Sequence, residues 1–422
     1  MYIERIRLQN VRCFSSLEMS FELGRKQLPW TVVIGDNATG KTTLLRSIAM
    51  GLCDESSAAG LLKESDSPYI RYGEKKARIV VDLVKNLDNR RRSYRIETTI
   101  HRRPTRYGSY ERVRQKTTPS SRFPWDELFV CGYGAGRSTS GAGDIVGYSV
   151  INAVYNMFNY TEGLQNPELA ITRIPKDSFA RQVLKVLAAV TNTDRVVLGK
   201  SGIEVLGPWD MLMPLRDLAD GYKSTFLWVT DLLGWALNHK PSLRNIRQVT
   251  GIVLIDEIEQ HLHPTWQTQV VQRLRTTFPS VQFIITTHSP LVASSVGSLQ
   301  TEVNVDNLML LELKKGNIVV KHNLEQMKGL RFDQVLASKA FEYLTTSDRE
   351  TNELLRKISI LSGKGSGRTR QEDKEYRVLK QKAAKRLLSE AETPAENEIM
   401  EEFTTWMAQK LRKLKKKSRK VS

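Results

Sequence analysis

The sequence predicts an α/β fold, a mixed β-sheet with flanking helices. A short apolar run at 30–34 breaks at a glycine-rich loop and is followed by apolar residues at helical spacing in 42–52. Two further apolar runs, 251–255 and 281–286, each end in polar residues. Buried strands of an open α/β sheet have continuous apolar sequences and place ligands at their carboxyl ends. These three segments therefore predict strands that surround one site.

The remaining elements are predicted from the spacing of apolar residues. Helical spacing predicts helices at 179–190, 220–239 and 264–277. Alternation and short apolar runs predict strands at 2–8, 17–23, 78–84 and 93–100, and a hairpin of 307–313 with 317–321. We expect a domain over 1–325 that contains a helical insertion at about 141–200. A helical C-terminal region, 326–422, is expected to end in a basic tail.

Composition limits the class of protein. Of the 422 residues, 40% are apolar and 26% are charged, which is typical of a globular chain with a substantial core. The sequence contains no uncharged apolar stretch long enough for a membrane helix, and Glu4, Arg5 and Arg7 lie where a signal peptide would be apolar. The three cysteines are far apart and form no CxxC pair. These features predict a cytoplasmic protein without a disulfide framework or a zinc site.

The formal net charge is +18, and the excess is concentrated in two places. Arginines cluster between 90 and 114, and lysines and arginines fill 410–420 without a carboxylate. Such clusters suit a phosphate backbone or an acidic protein partner, so nucleic acid is a plausible ligand. The alternative is a solubilising surface that binds nothing specific.

The strongest local motif is the loop GDNATGKT, which follows the first apolar run. It fits the pattern G-x-x-x-x-G-K-[ST], in which successive backbone N–H groups curl around phosphates. Lys41 is predicted to reach the β- and γ-phosphates, and Thr42 to ligate Mg²⁺. The candidate ATP-binding residues of this loop are Gly35, Asp36, Asn37, Ala38, Thr39, Gly40, Lys41, Thr42 and Thr43.

Polar residues after the other two apolar strands complete the predicted site. Asp256 is predicted to hold the Mg²⁺ shell, directly or through water, and Glu257 to polarise the attacking water. His288 is predicted to hydrogen-bond the γ-phosphate and to sense the nucleotide state, a structural histidine being the alternative. Lys41, Glu257 and His288 are thus the candidate catalytic residues of a Mg²⁺-dependent ATPase.

The order of these motifs resembles that of ABC-type ATPases, and more closely that of the branch containing RecF, SMC and OLD proteins. The resemblance implies an ABC-type ATPase head over 1–325, with a signature motif before the acidic strand. LRDLADGY at 215–222 stands there, with Ala219-Asp220-Gly221 where transporters have Ser-Gly-Gly. The resemblance implies that Asp220 and Gly221 contact the nucleotide of a second copy. The active form would then be a head-to-tail dimer or a higher even oligomer.

Two further segments take part in the resemblance. FVCGYGAGR at 129–137 stands at the position of a coupling loop, and it makes Arg137 a candidate phosphate or coupling residue; structural turn glycines are the alternative. DEIEQHLHPTWQ at 256–267 includes His261 and His263, which could suggest a metal pair. The resemblance instead implies that this loop joins subunits.

The same segments, with TTHSP at 286–290, resemble the ATPases of Septu-type anti-phage systems, which are paired with a separate HNH nuclease. The resemblance implies control of a nuclease effector, docked on 326–422. No DxD triplet follows His288, so a Toprim nuclease is not expected, and Asp306, Glu312 and Lys314 resemble a nuclease site only superficially. The alternatives are a RecF-like DNA-repair ATPase and a scaffold whose assembly is timed by ATP.

Overall fold

A computed structural model describes residues 1–321, apart from 24–25, 66, 88–89, 107, 121–122, 138–146, 162, 173–177, 200–201, 208, 297–306 and 315. It also describes 353–354, 357–358, 360–361 and 369–387. By compactness the chain divides into one unit, Met1–Tyr343, and another, Leu344–Ser422. The predicted division at 325/326 remains a prediction.

The strands of the first unit are β1 (Tyr2–Val11), β2 (Phe14–Ser20), β3 (Glu22–Leu23), β4 (Lys26–Gln27), β5 (Trp30–Gly35), β6 (Lys76–Leu87), β7 (Arg90–Thr105), β8 (Gly108–Thr118), β9 (Val130–Tyr133), β10 (Arg195–Gly199), β11 (Gly202–Leu206), β12 (Leu212–Pro214), β13 (Gly251–Ile255), β14 (Val281–Thr286), β15 (Asn307–Lys314) and β16 (Asn317–Lys321). Its helices are α1 (Lys41–Gly51), α2 (Glu55–Lys63), α3 (Val150–Val154), α4 (Pro167–Thr172), α5 (Ser178–Thr191), α6 (Asp220–His239), α7 (Pro264–Gln267), α8 (Val270–Thr277) and α9 (Pro290–Ser295).

The central sheet has the strand order β16-β15-β5-β14-β13-β9. All its neighbours pair in parallel except the antiparallel edge pair β15–β16. Every residue of β13 and β14 is buried, as the continuous apolar runs predicted. Parallel pairing brings the carboxyl ends of β5, β14 and β13 to one edge of the sheet, where open α/β sheets bind ligands.

A second, antiparallel sheet has the order β2-β1-β6-β7-β8. Its inward residues, such as Ile6 and Ile79, join one hydrophobic core with Leu44 and Ile48 of α1 and with Leu254 of the central sheet. The opposite face of the central sheet forms another core with α5, α6 and α8. The predicted α/β fold, a mixed sheet with flanking helices, is therefore confirmed.

The structure differs from the predicted elements in several places. The strand predicted over 17–23 is instead β2, which begins at Phe14 and ends at Ser20. The predicted helical insertion contains α3, α4 and α5, but β10 already begins at Arg195 and pairs with β11 and β12 in a small antiparallel sheet. The elements α2, α9, β8, β11 and β12 were not predicted. The helix predicted over 264–277 is two helices, α7 and α8. Thr268, which follows α7, donates its hydroxyl to the Thr265 carbonyl, a local bond that competes with continuation of the helix.

The described part of the second unit contains the helix α10 (Arg370–Leu387). Thr369 and Glu372 form a reciprocal capping box at its start, with Thr369 N to Glu372 Oε2 at 2.9 Å and Glu372 N to Thr369 Oγ1 at 3.2 Å. The predicted basic tail lies outside the described residues. In the part of the chain that is described, no helix is both long and apolar enough to span a membrane.

Candidate nucleotide-binding site

The predicted phosphate loop leaves β5 at Gly35 and enters α1 at Lys41. Thr39 closes its turn, since its hydroxyl donates to the Asp36 carbonyl at 2.8 Å. Gly40 has φ +90°, and a Cβ there would lie 2.5 Å from Cys13 Sγ and 2.7 Å from Phe14 Cζ. Only glycine meets both the left-handed backbone and this close approach. The motif therefore requires glycine at position 40 for steric as well as chemical reasons.

Lys41 lies inside the curl of the loop and is only 6% exposed. Its Nζ donates to the carbonyls of Gly35 at 2.7 Å and Asp36 at 2.9 Å. Burial lowers the pKa of the ammonium, and the nearby carboxylates, chiefly Asp256 and then Glu257, oppose that shift. The positive charge is thus held where a phosphate loop binds oxyanions.

Asp256, directly after β13, is almost fully buried and uses both carboxylate oxygens. Thr42 donates its hydroxyl to Oδ2 at 2.6 Å, and Thr286 donates to Oδ1 at 2.5 Å. A hydroxyl and a carboxylate in contact are the hard oxygen ligands that Mg²⁺ prefers. These residues therefore fit Mg²⁺, which Thr42 and Asp256 would hold and which would neutralise charge on the phosphates.

Glu257 follows in a left-handed conformation with φ +48°, which costs a residue with a side chain roughly 1–2 kcal/mol. Its N–H donates to Thr286 Oγ1 at 2.8 Å, and its carbonyl accepts from Arg137 Nη2 at 2.8 Å. Neighbouring groups therefore hold Glu257 in the strained turn.

A cavity of about 300 Å³ brings the predicted residues together. It is lined by Arg12, Cys13, Asn37, Ala38, Gly40, Lys41, Thr42, Thr43, Glu257 and His288. Asp256 lies behind this lining, bonded to Thr42. A larger cavity of about 810 Å³, between α2 and β8, contains none of the predicted site residues, so volume alone does not identify the site.

Three residues near the site were missed in the sequence. Arg12 and Cys13, in the turn between β1 and β2, line the cavity. The Arg12 guanidinium bonds the Ser67 carbonyl at 2.9 Å and lies 4.5 Å from the ring centroid of Tyr69. Glu259 accepts the main-chain N–H of His288 at 2.6 Å and thereby fixes the backbone beside the cavity. No local motif marks Arg12 and Cys13, because they reach the site only through tertiary packing, and Glu259 lies in the DEIEQHLHPTWQ segment without a predicted role.

The predicted signature residues do not line this cavity. Asp220 begins α6 with its side chain 87% exposed. A Cβ on Gly221 would lie 2.3 Å from the carbonyl oxygen of His261. A contact within the same chain therefore already requires glycine at this position. The Tyr222 ring packs edge-on against Trp209 and Trp266. The contact of Asp220 and Gly221 with a second copy remains a prediction.

The remaining candidate residues do not line the cavity. Arg137 is buried and directs its guanidinium to main-chain carbonyls rather than into the cavity, so its role as a phosphate or coupling residue remains a prediction. His263 caps α7, and the described residues contain no group of three or more His, Cys, Asp or Glu that could hold a metal. Glu312 pairs with Lys321 at 2.6 Å and Lys314 at 3.3 Å, whereas Asp306 lies outside the described residues.

Comparison with known proteins identifies related segments. A family model described as "AAA domain, putative AbiEii toxin, Type IV TA system" matches residues 209–294, and one described as "AAA domain" matches residues 5–121. The chain is 27% identical over 394 residues to Septu protein PtuA of Bacillus mycoides (strain KBAB4). This alignment covers 91% of this chain and 50% of that protein. The chain thus spans about half the length of this relative.

Two other matches are more limited. Over 87 residues the chain is 47% identical to the Retron Vc95 probable ATPase of Vibrio cholerae, which covers 21% of this chain and 17% of that protein. The SMC head domain from Thermotoga maritima aligns with a TM-score of 0.44 at 14% identity, over 77% of this chain and 100% of that chain.

The matched segments contain the predicted site. The N-terminal AAA match includes Lys41, and the second match includes Asp256, Glu257 and His288. The resemblance to Septu ATPases that the motifs predicted is confirmed by the similarity to PtuA. The chain is therefore similar to Septu protein PtuA over most of its length, and it contains two segments that match AAA-domain models.

Proposed function

We propose that this chain binds ATP with Mg²⁺, hydrolyses it, and serves as the ATPase subunit of an anti-phage defence complex that controls a separate nuclease. The observation that carries the proposal is the single cavity lined by Lys41, Glu257 and His288, which come from three parallel strand ends. The Thr42–Asp256 pair beside this cavity supports the same chemistry. The similarity to PtuA supports the role in defence.

Hydrolysis by these residues would be an in-line attack of water on the γ-phosphate. The loop N–H groups and Lys41 bind the triphosphate and neutralise charge that develops on it. Thr42 and Asp256 would hold Mg²⁺. Glu257 polarises the water, and His288 hydrogen-bonds the γ-phosphate. Each group acts from a fixed position, so catalysis rests on positioning and electrostatics.

A second copy would complete the site. Ala219, which precedes α6, has no side-chain acceptor for the first N–H groups of this 20-residue helix. The exposed start of α6 could therefore offer N–H groups and a positive helix end to a partner's nucleotide. Residues 326–422 are proposed to dock the nuclease.

The site and the defence role can be tested with Lys41→Ala and Glu257→Gln. Lys41→Ala is expected to lose ATP binding, ATP turnover and phage protection in cells that carry the chain with its genomic neighbours. Glu257→Gln should bind ATP, turn over about 10²–10⁴-fold more slowly, and accumulate paired copies in light scattering with ATP and Mg²⁺.

The matched control is Lys75→Ala, which removes an exposed lysine outside the cavity. It should retain turnover and protection. Wild-type turnover in the Lys41→Ala protein would refute the site. Normal protection by Lys41→Ala in spite of lost turnover would refute the link between ATP and defence.

A second candidate is a RecF-like ATPase that binds DNA, and the β7–β8 hairpin favours it. Arg103, Arg106 and Arg112, here called the basic tip, are exposed and form no ion pair among the described residues. By contrast, Arg78 and Arg95 pair with Glu97 and Asp82. An unpaired basic surface suits a phosphate backbone.

A further inference from the structure

Arg137 lies in the turn that follows β9, beside the acidic end of β13. The two strands pair in parallel, with Tyr133 opposite Ile255. The N–H of Asp256 continues this ladder by donating to the Tyr133 carbonyl at 2.8 Å. The turn after β9 is thereby held against the Asp256–Ile258 segment.

The Arg137 guanidinium binds three successive main-chain carbonyls of that segment. Nη1 donates to the Asp256 carbonyl at 2.6 Å, and Nη2 donates to those of Glu257 at 2.8 Å and Ile258 at 3.2 Å. Nη1 also donates to the carbonyl of Gly134 at 3.0 Å, which ties the guanidinium to its own turn. The residue is 1% exposed, so water does not compete for these bonds.

The charge of Arg137 persists in this buried position. Burial lowers its pKa to about 10, and the carboxylates of Asp256, Glu259 and Glu257 oppose the shift, so it is protonated at neutral pH. A planar guanidinium presents a rigid fork of donors that can serve several carbonyls at once, whereas the lysine ammonium is a point charge on a flexible stem. A lysine at position 137 would keep the positive charge but lack the fork of donors, so it should not replace Arg137.

We propose that Arg137 is a positioning residue for ATP hydrolysis, which fixes the Asp256–Ile258 turn so that Asp256 contacts Thr42 and Glu257 faces the cavity. This inference rests on the proposed ATPase function of the cavity. Arg137 does not line that cavity, so it acts through the two acids. The left-handed backbone of Glu257 is the feature that most needs such support.

The experiment compares Arg137→Lys and Arg137→Gln with wild type and with Arg195→Lys, an exposed arginine of β10. ATP turnover, affinity for a fluorescent ATP analogue and hydrogen–deuterium exchange of peptides covering 254–262 are measured. Both Arg137 variants should lose turnover about 100-fold, because a small misplacement of catalytic groups costs that much. Nucleotide affinity should change less than about threefold, since the phosphate loop is intact.

Exchange in 254–262 should accelerate in both variants, while that of β5 and α1 stays at the wild-type rate. Wild-type turnover or wild-type exchange in Arg137→Lys would overturn the inference. Faster exchange throughout the first unit, with loss of nucleotide binding, would also overturn it, because the residue would then support the whole fold. Equal turnover by wild type and Lys41→Ala would instead refute the ATPase proposal, whereas the exchange data would still show whether Arg137 holds the Asp256–Ile258 turn.

Discussion

At the scale of single residues, the hydroxyl of Thr286 organises both acids of the site. It donates to Asp256 Oδ1 at 2.5 Å and accepts the Glu257 N–H at 2.8 Å. Since Thr286 is the last residue of β14 and the acids follow β13, one hydroxyl joins two neighbouring strand ends. The geometry of Asp256 and Glu257 therefore depends on Thr286, the first residue of the TTHSP segment, for which the sequence predicted no role.

Replacing Thr286 with valine should remove both bonds while keeping the side-chain shape. A buried carboxylate and an N–H then each lose a partner, so we expect the free energy of unfolding to fall by about 1–3 kcal/mol. Because Asp256 would also be held less firmly, half-maximal turnover should require a higher Mg²⁺ concentration. The matched control is Thr31→Val in β5, whose buried hydroxyl has no partner among the described residues. Equal losses in the two variants, measured by urea denaturation and by Mg²⁺ titration, would contradict this role.

At the scale of elements, the sequence was most informative for segments with a strong period. The bounds of α6, β13 and β14 agree with prediction, because long helical spacing and fully apolar runs are local signals. Residues that reach the site from elsewhere were not predictable. Cys13, for example, lies against Gly40 only because the β1–β2 turn packs on the phosphate loop. The strand β10 falls at the end of the predicted helical insertion, since a strand of only five residues is a weak local signal.

The helix α6 also carries a buried carboxylate that pattern alone did not reveal. Asp231 accepts the Tyr133 hydroxyl at 2.9 Å and the Gln165 N–H at 3.0 Å. Burial raises its pKa to about 7 in spite of these bonds. It links α6, which begins at the predicted signature, to β9, which leads to the Arg137 turn.

This raised pKa makes a prediction about stability and pH. The folded state favours the protonated form of Asp231. The stability that this protonation contributes is fully present below about pH 4 and is lost as the pH rises to about 7. The total loss is up to roughly 4 kcal/mol. Asp231→Asn cannot ionise, so its unfolding free energy relative to wild type should rise across that window. Asp217→Asn, at an exposed position, should show no such trend in urea titrations. A difference between Asp231→Asn and wild type that is independent of pH would refute the shift.

At the scale of the whole molecule, the net charge of +18 is unevenly neutralised. On the outward face of the second sheet, Arg5 pairs with Glu18, Arg78 with Glu97, and Arg95 with Asp82. Arg103 and Arg112 occupy the same face, as the register of β7 with β8 shows, but they form no ion pair among the described residues. Because screening reduces the effect of distant charges, the local excess at the basic tip matters more than the total.

If nucleic acid binds there, removing the basic tip should weaken binding and flatten its salt dependence. Alanine at Arg103, Arg106 and Arg112 should reduce the slope of log K against log salt by about 0.9 for each phosphate that the protein no longer neutralises. Alanine at Arg5, Arg78 and Arg95 removes the same charge from already paired residues and should change the slope far less. Fluorescence anisotropy with a labelled duplex at several salt concentrations compares the two triple variants. Equal slopes would mean that net charge, rather than the basic tip, governs binding, and the RecF-like alternative would lose its structural support.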